Sequence, residues 1–567
     1  MSTAKRARED RRQLGQFFTP PDVARRIVAA LPVDETTSVL EPSFGEGAFV
    51  FEIVERIART GADPMAWAAA HLFGTELDGR AHAAMRRRWR ADGFGALPPA
   101  LRNADFFRWR PRDPRQRFDL IVGNPPFGGT LDAAVEDDLD RAYGWRHGLK
   151  IKKETYSFFI VRCVELLAPN GLLCFVCSDT LLTINTMRGL RNFLQSSCDV
   201  EIERLPGPFE HTAQPMVLLK ARKTASGCGS VKVFGCTIPP RAIAATPNLS
   251  WRIDETLATY FSGSFLGDFM VATSGMTIGN NELFLREIRD GRVAEPYRFA
   301  YADEPVTLAK ERSRARLGKL SAGKIAKIRD AEARGTTERV VRWERLRRPR
   351  RVALPHRDYR PYNKADGSSF YAPPRYAIFW RDGGAYVYTF KRNGNWYLHG
   401  VGGRPFFERE GLTWALIANR FKTRYLPPGY ILDSGAPCAF LREGVAEDEL
   451  YFILAWTLTP VANRILKSVL NHTRNIQSKD FERMPYPAWV SPAAKRKIVS
   501  LTRATIRRAR AGHCIDEDAV VAKLERLFAR EESIALPQDQ RPRQRASGTS
   551  GRVVTGSPDS SIGATTL

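Results

Sequence analysis

The sequence predicts an α/β protein: a mostly parallel sheet of seven strands with helices on both faces, followed by a separate, mixed α/β half. Three observations predict it. From about residue 38 to 220, apolar strand-like runs alternate with amphipathic stretches, the pattern of parallel strands joined by crossover helices. The chain has 567 residues, too many for one ordinary domain. After Lys223 the alternation stops, and the composition turns to Arg, Tyr, Trp, Pro and Gly.

The elements follow in order. A basic tail covers residues 1–15, and the first domain runs from 16 to 225. Its strands are "SVLEP", "HLFGTELD", "ALRNADFF", "FDLIVGNPP", "GLLCFVCSD", "VEIERLPG" and "PMVLLKA". The helices between them include "GAFVFEIVERIART", "GRAHAAMRRRWRAD" and "TYSFFIVRCVELLAPN". "TASGCGS" reads as a linker. A second domain spans 226–490, with short strand-like runs such as "YAIFW" and "AYVYTF". Inside it, Arg312 to Arg351 reads as a basic helical segment. Residues 491–535 read as two closing helices, and 536–567 as a disordered tail.

Composition narrows the function classes. With 43% hydrophobic and 26% charged residues, the chain can bury a large core. Its formal net charge of +25 favours a polyanionic partner, although an arginine-rich proteome gives the same surplus. The close pair Cys174 and Cys177 lies within one apolar run, where a strand sends the thiols to opposite faces; this disfavours a metal site. Reduced thiols suit a cytoplasmic protein. No apolar run reaches the ~18 residues of a membrane span, so no membrane association is expected.

In a parallel sheet ligands sit at the carboxyl ends of strands. The first strand ends "LEPSFGEG", a glycine turn at Gly45 and Gly47 that lets backbone approach a ligand closely. Glu76 ends the second strand, where an acid suits a ribose diol. Asp105 and Phe106 end the third: a carboxylate to accept from an adenine amino group, and a ring to cover its face. Each acid alone is as readily a helix N-cap or a surface charge; the ordered set points to an adenosine. No phosphate-binding Lys follows the glycines, which disfavours a P-loop nucleotide.

The fourth strand ends "GNPPFGG". An aryl amine is a poor nucleophile, because its lone pair is delocalised into the ring. Two acceptors aimed at its hydrogens localise that pair. Asn124 offers a side-chain carbonyl and Pro125 a backbone carbonyl; Pro125 and Pro126 fix the direction of both. Phe127 offers a face for stacking a base. This is preorganised positioning rather than covalent catalysis. An edge turn with a buried Phe is the plainer alternative. A cytosine-C5 enzyme would need a Pro-Cys nucleophile here, and the chain's Pro437–Cys438 falls in the other half.

The order of these elements resembles the gamma-class (TaqI-like) adenine-N6 DNA methyltransferases, closely over residues 13–223 and loosely beyond. The resemblance rests on "GQFFTPPDVARRIV", "EPSFGEGAFV", "NADFF" and "NPPF". It implies a Rossmann-like fold, S-adenosylmethionine as cofactor, no metal, and double-stranded DNA as partner. By resemblance Phe18, Thr19, Glu41, Pro42, Gly45, Gly47, Glu76, Asp105 and Phe106 hold the cofactor. Asn124, Pro125, Pro126 and Phe127 form the catalytic motif, and Phe209 in "GPFEHTAQPMVLL" stacks on the other face of the extruded base. Other amines remain open, since related enzymes methylate cytosine N4, ribosomal RNA bases or a protein glutamine. A DNA-binding protein with a decayed methyltransferase fold is the non-enzymatic alternative.

The second half has the size and charge of a target-recognition domain. "SGMTIGNNELF", "EGLTWALIANRFKTRYLPPGYILD" and "LNHTRNIQSKDFERMPYP" resemble that domain in the same family. The phosphate-contact candidates are Arg342, Arg345, Arg347, Arg348, Arg350 and Arg351; a solvated helix face is the bland alternative. No nuclease motif is evident, which favours an enzyme acting in a bacterial cytoplasm beside a separate restriction endonuclease or within a phage-defence cluster; an orphan enzyme is the open alternative.

Overall fold

The computed structural model describes residues 19–126, 133–205, 215–224, 229–314, 322–392, 395–396 and 401–535. The expected tails 1–15 and 536–567, together with Phe18, Phe127 and Phe209, lie outside the described residues.

The first half is a twisted sheet between helical layers. Its strands are β1 (Val39–Glu41), β2 (Leu72–Glu76), β3 (Leu101–Asn103) and β4 (Phe118–Gly123), then two strands of a short hairpin, β5 (Trp145–Arg146) and β6 (Leu149–Lys150). There follow β7 (Leu167–Ser178), β8 (Cys198–Arg204), β9 (Met216–Lys223), β10 (Val231–Val233) and β11 (Cys236–Ile238). The main sheet has nine strands in the order β11-β10-β8-β9-β7-β4-β1-β2-β3. β3, β2, β1, β4 and β7 run parallel, and β9 runs antiparallel between β7 and β8. The chain winds outward from β1 to β3, then restarts on the other side of β1 with β4. The β1–β4 junction is therefore the switch point, where the carboxyl ends leave an open crevice.

Two strands exceed the seven expected, and they correct the boundary at 225. β10 pairs parallel to β8, with Val231 beside Val200, and β11 folds back on it. The glycine-containing stretch before them connects strands of one sheet rather than two domains.

Alternation along each strand divides the core. Leu120, Val122, Leu172, Cys174 and Val176 face a layer formed by helices α1 (Pro21–Ala29), α2 (Ala48–Ala58), α3 (Pro64–His71) and α4 (Gly79–Ala91). Ile121, Leu173, Phe175 and Cys177 face the opposite layer, which contains α6 (Thr155–Leu166) and α7 (Arg188–Ser197); α5 (Ala133–Tyr143) precedes the β5–β6 hairpin. Cys174 and Cys177 thus sit on opposite faces, as the strand period requires.

That second core continues into the other half of the chain, through Trp251, Leu266, Trp414, Phe452, Trp456 and Ile498. The closing helices Pro492–Arg510 and Glu517–Ala535 pack there, with Phe528 5.4 Å from Trp456 between ring centres. A separate core joins Met276, Phe284, Phe299, Tyr359, Phe379 and Tyr386. The second half is therefore one layer fused to the core of the first half plus a module with its own interior.

After the short strands β12 (Met270–Thr273) and β13 (Leu285–Glu287), much of that module is a long two-stranded ribbon, β14 (Arg292–Pro305) against β15 (Thr337–Ala353). This corrects the helical reading of Arg312 to Arg351. Helices do cover Leu308–Arg314 and Ala322–Ala333, but all six candidate arginines stand on β15. Val341 pairs with Tyr301 and Trp343 with Phe299, and these rings pack on Tyr386 and Phe379 at 4.3 and 4.6 Å. A cross-strand apolar face of that kind outweighs the helical spacing of the charges.

Candidate active site

The loops after β1, β2, β3 and β4 form one hydrogen-bonded group. Ser43 Oγ donates to the Asn124 carbonyl at 3.5 Å across the switch point. Phe44 N donates to Thr75 O at 3.1 Å, and Thr75 Oγ1 to Pro42 O at 2.7 Å. Gly45 N donates to Glu76 Oε2 at 2.8 Å, and Asp78 N to Glu76 Oε1 at 2.7 Å. Asn103 Nδ2 reaches Glu76 O at 2.7 Å and ties the third loop to the second. These bonds bring together Pro42, Gly45, Glu76 and Asn124, residues spread over more than eighty positions of sequence.

The glycine turn works through its backbone. Gly47 has φ of 89°, and a Cβ there would come within 2.9 Å of the Phe51 ring. A larger residue would meet both a left-handed backbone and a filled space. Gly47 also starts α2, whose first N–H groups point back toward the turn.

Glu41 and Glu76 are 2% and 4% exposed. Glu41 Oε2 has no hydrogen-bond partner among the described residues. Burial pushes the Glu41 carboxyl well above its usual range, the Glu76 charge adds to this, and a bond from the Val50 backbone partly opposes it. Burial also raises Glu76, against the bonds from Asp78 and Gly45. Two shielded carboxylates side by side, one with an unpaired oxygen, make a site for a cation and for hydroxyl donors.

Asp105 is partly exposed, and its Oδ1 accepts from Phe107 N at 2.9 Å, so it caps its own turn. Phe106 does not present an open face. It is 3% exposed, stacked on Phe159 at 4.8 Å with the Arg162 guanidinium 4.5 Å from its ring centre. The half-buried ring beside it is Phe107. Leu77, which sequence reasoning passed over, is 62% exposed immediately after Glu76. An apolar side chain held out at a strand end next to a buried acid was a legible signal, as was Ser43 between Pro42 and Phe44. Thr19 is buried just ahead of α1. Pro125 is buried, and Asn124 and Pro126 are half-buried at the end of β4.

The carboxyl end of β7 borders this crevice. Phe175 lies opposite Gly123, the residue before Asn124. Just past β7, Asp179 Oδ2 lies 2.9 Å from His472 Nε2, and Thr183 Oγ1 lies 2.6 Å from His472 Nδ1. Asn248 Nδ2 donates to Thr183 O at 2.6 Å and to Val469 O at 3.0 Å. Arg191, fully buried, donates to the carbonyls of Leu181, Ile184, Leu249 and Asn248, and burial lowers its pKa to about 9. The loop after β7 is thus fastened to the second half of the chain.

The candidate phosphate contacts are exposed but do not share one face. Arg342 pairs with Glu304 at 2.5 Å. Between the pairs Tyr297–Arg345 and Glu295–Arg350 the register slips, so Leu346 to Pro349 bulge out and turn Arg347 and Arg348 away from the ladder. No ion pair among the described residues holds Arg347 or Arg348. At the foot of the ribbon a hollow of about 230 Å³ is lined by Arg286, Glu287, Arg289, Arg292 and Arg351, among others.

Residues 97–203 match the family model of the Eco57I restriction-modification methylase. The Type II methyltransferase M.TthHB8I of Thermus thermophilus is 30% identical over 227 residues, covering 38% of this chain and 46% of the relative. The Type II methyltransferase M.BstVI of Geobacillus stearothermophilus is 28% identical over 207 residues, 32% of this chain and 36% of the relative. The chain spans less than half the length of these curated relatives. Among solved structures, the Type IIL restriction-modification enzyme MmeI, in complex with DNA, shares the fold over 95% of this chain and 76% of its own, with a TM-score of 0.53 at 12% identity. The stretch from 97 to 203 holds β3, β4 and the Asn124 turn, and it is a restriction-modification methylase domain of the Eco57I type.

Proposed function

We propose that the chain is a site-specific DNA methyltransferase that modifies the N6 amino group of an adenine flipped out of the duplex, within a restriction-modification or phage-defence system. The observation that carries this is the position of Asn124. Its strand end lies at the switch point, fastened through Ser43 to the same turn that holds Gly45 against Glu76.

The residues present fit S-adenosylmethionine. The unpaired Glu41 oxygen suits its ammonium, and the Glu76 oxygens keep lone pairs for ribose hydroxyls. Leu77 offers an apolar surface to its adenine, with Phe107 as the nearer ring and Asp105 as the acceptor. When bound, this cofactor supplies the methyl group. Asn124 Oδ1 and the Pro125 carbonyl accept the two amino hydrogens and aim the nitrogen lone pair; Pro126 holds the turn. By resemblance Phe127 and Phe209 sandwich the base. The excess proton leaves to solvent after transfer, and no metal is required by this chemistry. Duplex DNA is the partner, contacted by the β15 arginines.

Single-molecule sequencing of DNA from a host free of adenine methylation, expressing this chain, tests the proposal. It reads the modified base and its sequence context together. Asn124→Ala is expected to keep cofactor and DNA binding and to lose on the order of 10²–10³-fold in kcat. Methylation by Asn124→Ala at the wild-type rate, or N4-methylcytosine in the sequenced DNA, would overturn the assignment.

A further inference from the structure

We propose that Ile417 is a wedge that enters the base stack of the DNA when the target base leaves it. The proposal rests on the DNA-methylation reading above and deepens it.

Four large apolar side chains are markedly exposed among the described residues: Leu77, Trp145, Trp343 and Ile417. Three have other settings. Leu77 belongs to the cofactor crevice. Trp343 leans on Phe390, 5.8 Å away, at the ribbon. Trp145 neighbours Arg146, which is tied to Glu165 at 2.7 Å near the end of α6, toward the amino ends of the strands. Ile417 is 65% exposed, the highest of the four, and it stands in the loop after the strand Gly411–Trp414.

A single exposed apolar residue is ordinary. This one is held rigidly, and that sets it apart. Leu416 N donates to Gly435 O at 3.0 Å, and Ile476 N to Leu416 O at 2.7 Å. Ala418 N donates to Arg474 O at 2.8 Å, and Lys467 Nζ reaches Ala418 O at 3.3 Å. The backbone is therefore clamped on both sides of Ile417, while the residue stays 65% exposed. The clamping turn is locked in its own right: Asn471 Nδ2 donates to Asn475 O and Asp480 Oδ2, while Thr473 N donates to Asn471 Oδ1.

The same turn is fastened to the active site. His472, three residues before Asn475, holds Asp179 and Thr183 at the carboxyl end of β7. β7 is the neighbour of β4, which carries Asn124. The turn that clamps the tip thus also reaches the carboxyl ends of the strands, where a flipped base must arrive. Its neighbours Asn419, Arg420, Arg474 and Asn475 are exposed, so the apolar tip is flanked by cations and amides. That composition matches a base stack edged by phosphates rather than an apolar protein groove. Proteins that unstack DNA commonly insert an isolated aliphatic side chain in this way. Extruding a base costs a few kcal/mol of stacking and pairing; filling the gap opposes its return.

The test compares two duplexes that carry the sequence mapped for this enzyme. One has a normal pair at the target; the other has an abasic site opposite it, so the target is already loosened. Ile417→Ala should transfer labelled methyl to the paired duplex about tenfold more slowly than wild type, and at close to the wild-type rate to the abasic one. Ile417→Leu should restore the paired duplex. With 2-aminopurine at the target, the fluorescence rise on binding should weaken in the Ala variant. Equal loss on both duplexes, or a wild-type rate on the paired one, would overturn the wedge. Transfer by wild-type protein to neither duplex would instead overturn the methylation reading, and the wedge with it.

Discussion

Glu41→Gln should make the ligand-free protein more stable while making it bind its cofactor less well. Glu41 is 2% exposed, Oε2 has no partner among the described residues, and the neighbouring Glu76 carries the same charge. Burial and that charge raise the Glu41 pKa above its ordinary 4.5. The sign follows from proton linkage. Between the unfolded and the raised folded pKa, the native state holds more protons than the unfolded chain. Stability therefore falls as pH rises through that window, and the penalty persists above it. An unpaired buried polar group costs ~1–3 kcal/mol, more when charged. Gln keeps the shape and an acceptor but removes the charge, so a gain of about 1–2 kcal/mol near neutral pH is expected. That gain corresponds to a few degrees in melting temperature. The difference should shrink toward zero as pH approaches 4.5, where the wild-type carboxyl is protonated. Saturating S-adenosylmethionine should reverse the order, because the wild type gains more from a cationic ligand. Thermal melts across pH, with and without cofactor, supply all of these readings. If Glu41→Gln melts at or below the wild type at pH well above neutral, or if its advantage does not shrink on acidification, the picture of an unpaired anion waiting for a cation is wrong.

Two further perturbations address the second half. Arg347→Ala with Arg348→Ala should weaken DNA binding about equally for all sequences. The slope of log affinity against log salt should drop by roughly 2, about 0.9 per lost phosphate contact; an unchanged slope in a salt titration would remove the bulge from the DNA surface. His472→Ala strips Asp179 and Thr183 Oγ1 of a shared partner in a nearly closed setting. It should cost ~1–3 kcal/mol in denaturant unfolding and raise the KM for DNA, while cofactor affinity measured by calorimetry stays at the wild-type value. Loss of cofactor affinity alongside DNA affinity would mean that the clip supports the whole crevice rather than the recognition loops.

The nine-stranded sheet was largely readable because most of its strands are apolar runs that end abruptly in polar residues. β4 shows this most plainly: "FDLIVG" is buried almost throughout, and the prolines then forbid further pairing. β10 and β11 escaped because three-residue strands carry almost no periodicity, and the glycines before them resemble a linker. β15 was misread for a different reason. Arg and Glu recur there at helical spacing, yet its conformation is set by β14, more than thirty residues earlier, through the Phe299–Trp343 and Tyr301–Val341 pairs. Strand propensity is largely a packing property, and packing partners distant in sequence are invisible locally. Phe106 shows the same limit. Its place after Asp105 suggested a cofactor contact, but Phe159 and Arg162, far along the chain, claim its ring. His472 was inaccessible to sequence reasoning, because nothing in "LNHTRN" names Asp179 as its partner.

What joins these features is how the site meets its polar needs. The loops around it satisfy one another through backbone bonds: Ser43 to Asn124, Gly45 to Glu76, Asn103 to the Glu76 carbonyl. The group left over, Glu41, is a buried carboxyl with one oxygen unpaired among the described residues, and a fold selected for stability alone would not keep it. The second half repeats the pattern with opposite polarity, leaving Arg347 and Arg348 without carboxylate partners among the described residues and Ile417 without apolar cover. Each omission is destabilising or neutral in the free protein, and each suits a different part of the proposed reaction complex: a cationic cofactor, a phosphate backbone, an opened base stack. A chain that merely retained a methyltransferase fold for binding DNA would have reason to keep the arginines and none to keep Glu41. The unpaired carboxylate is therefore the feature that separates an enzyme from a decayed one, and it makes cofactor-dependent stabilisation, lost in Glu41→Gln, the sharper discriminator between the two.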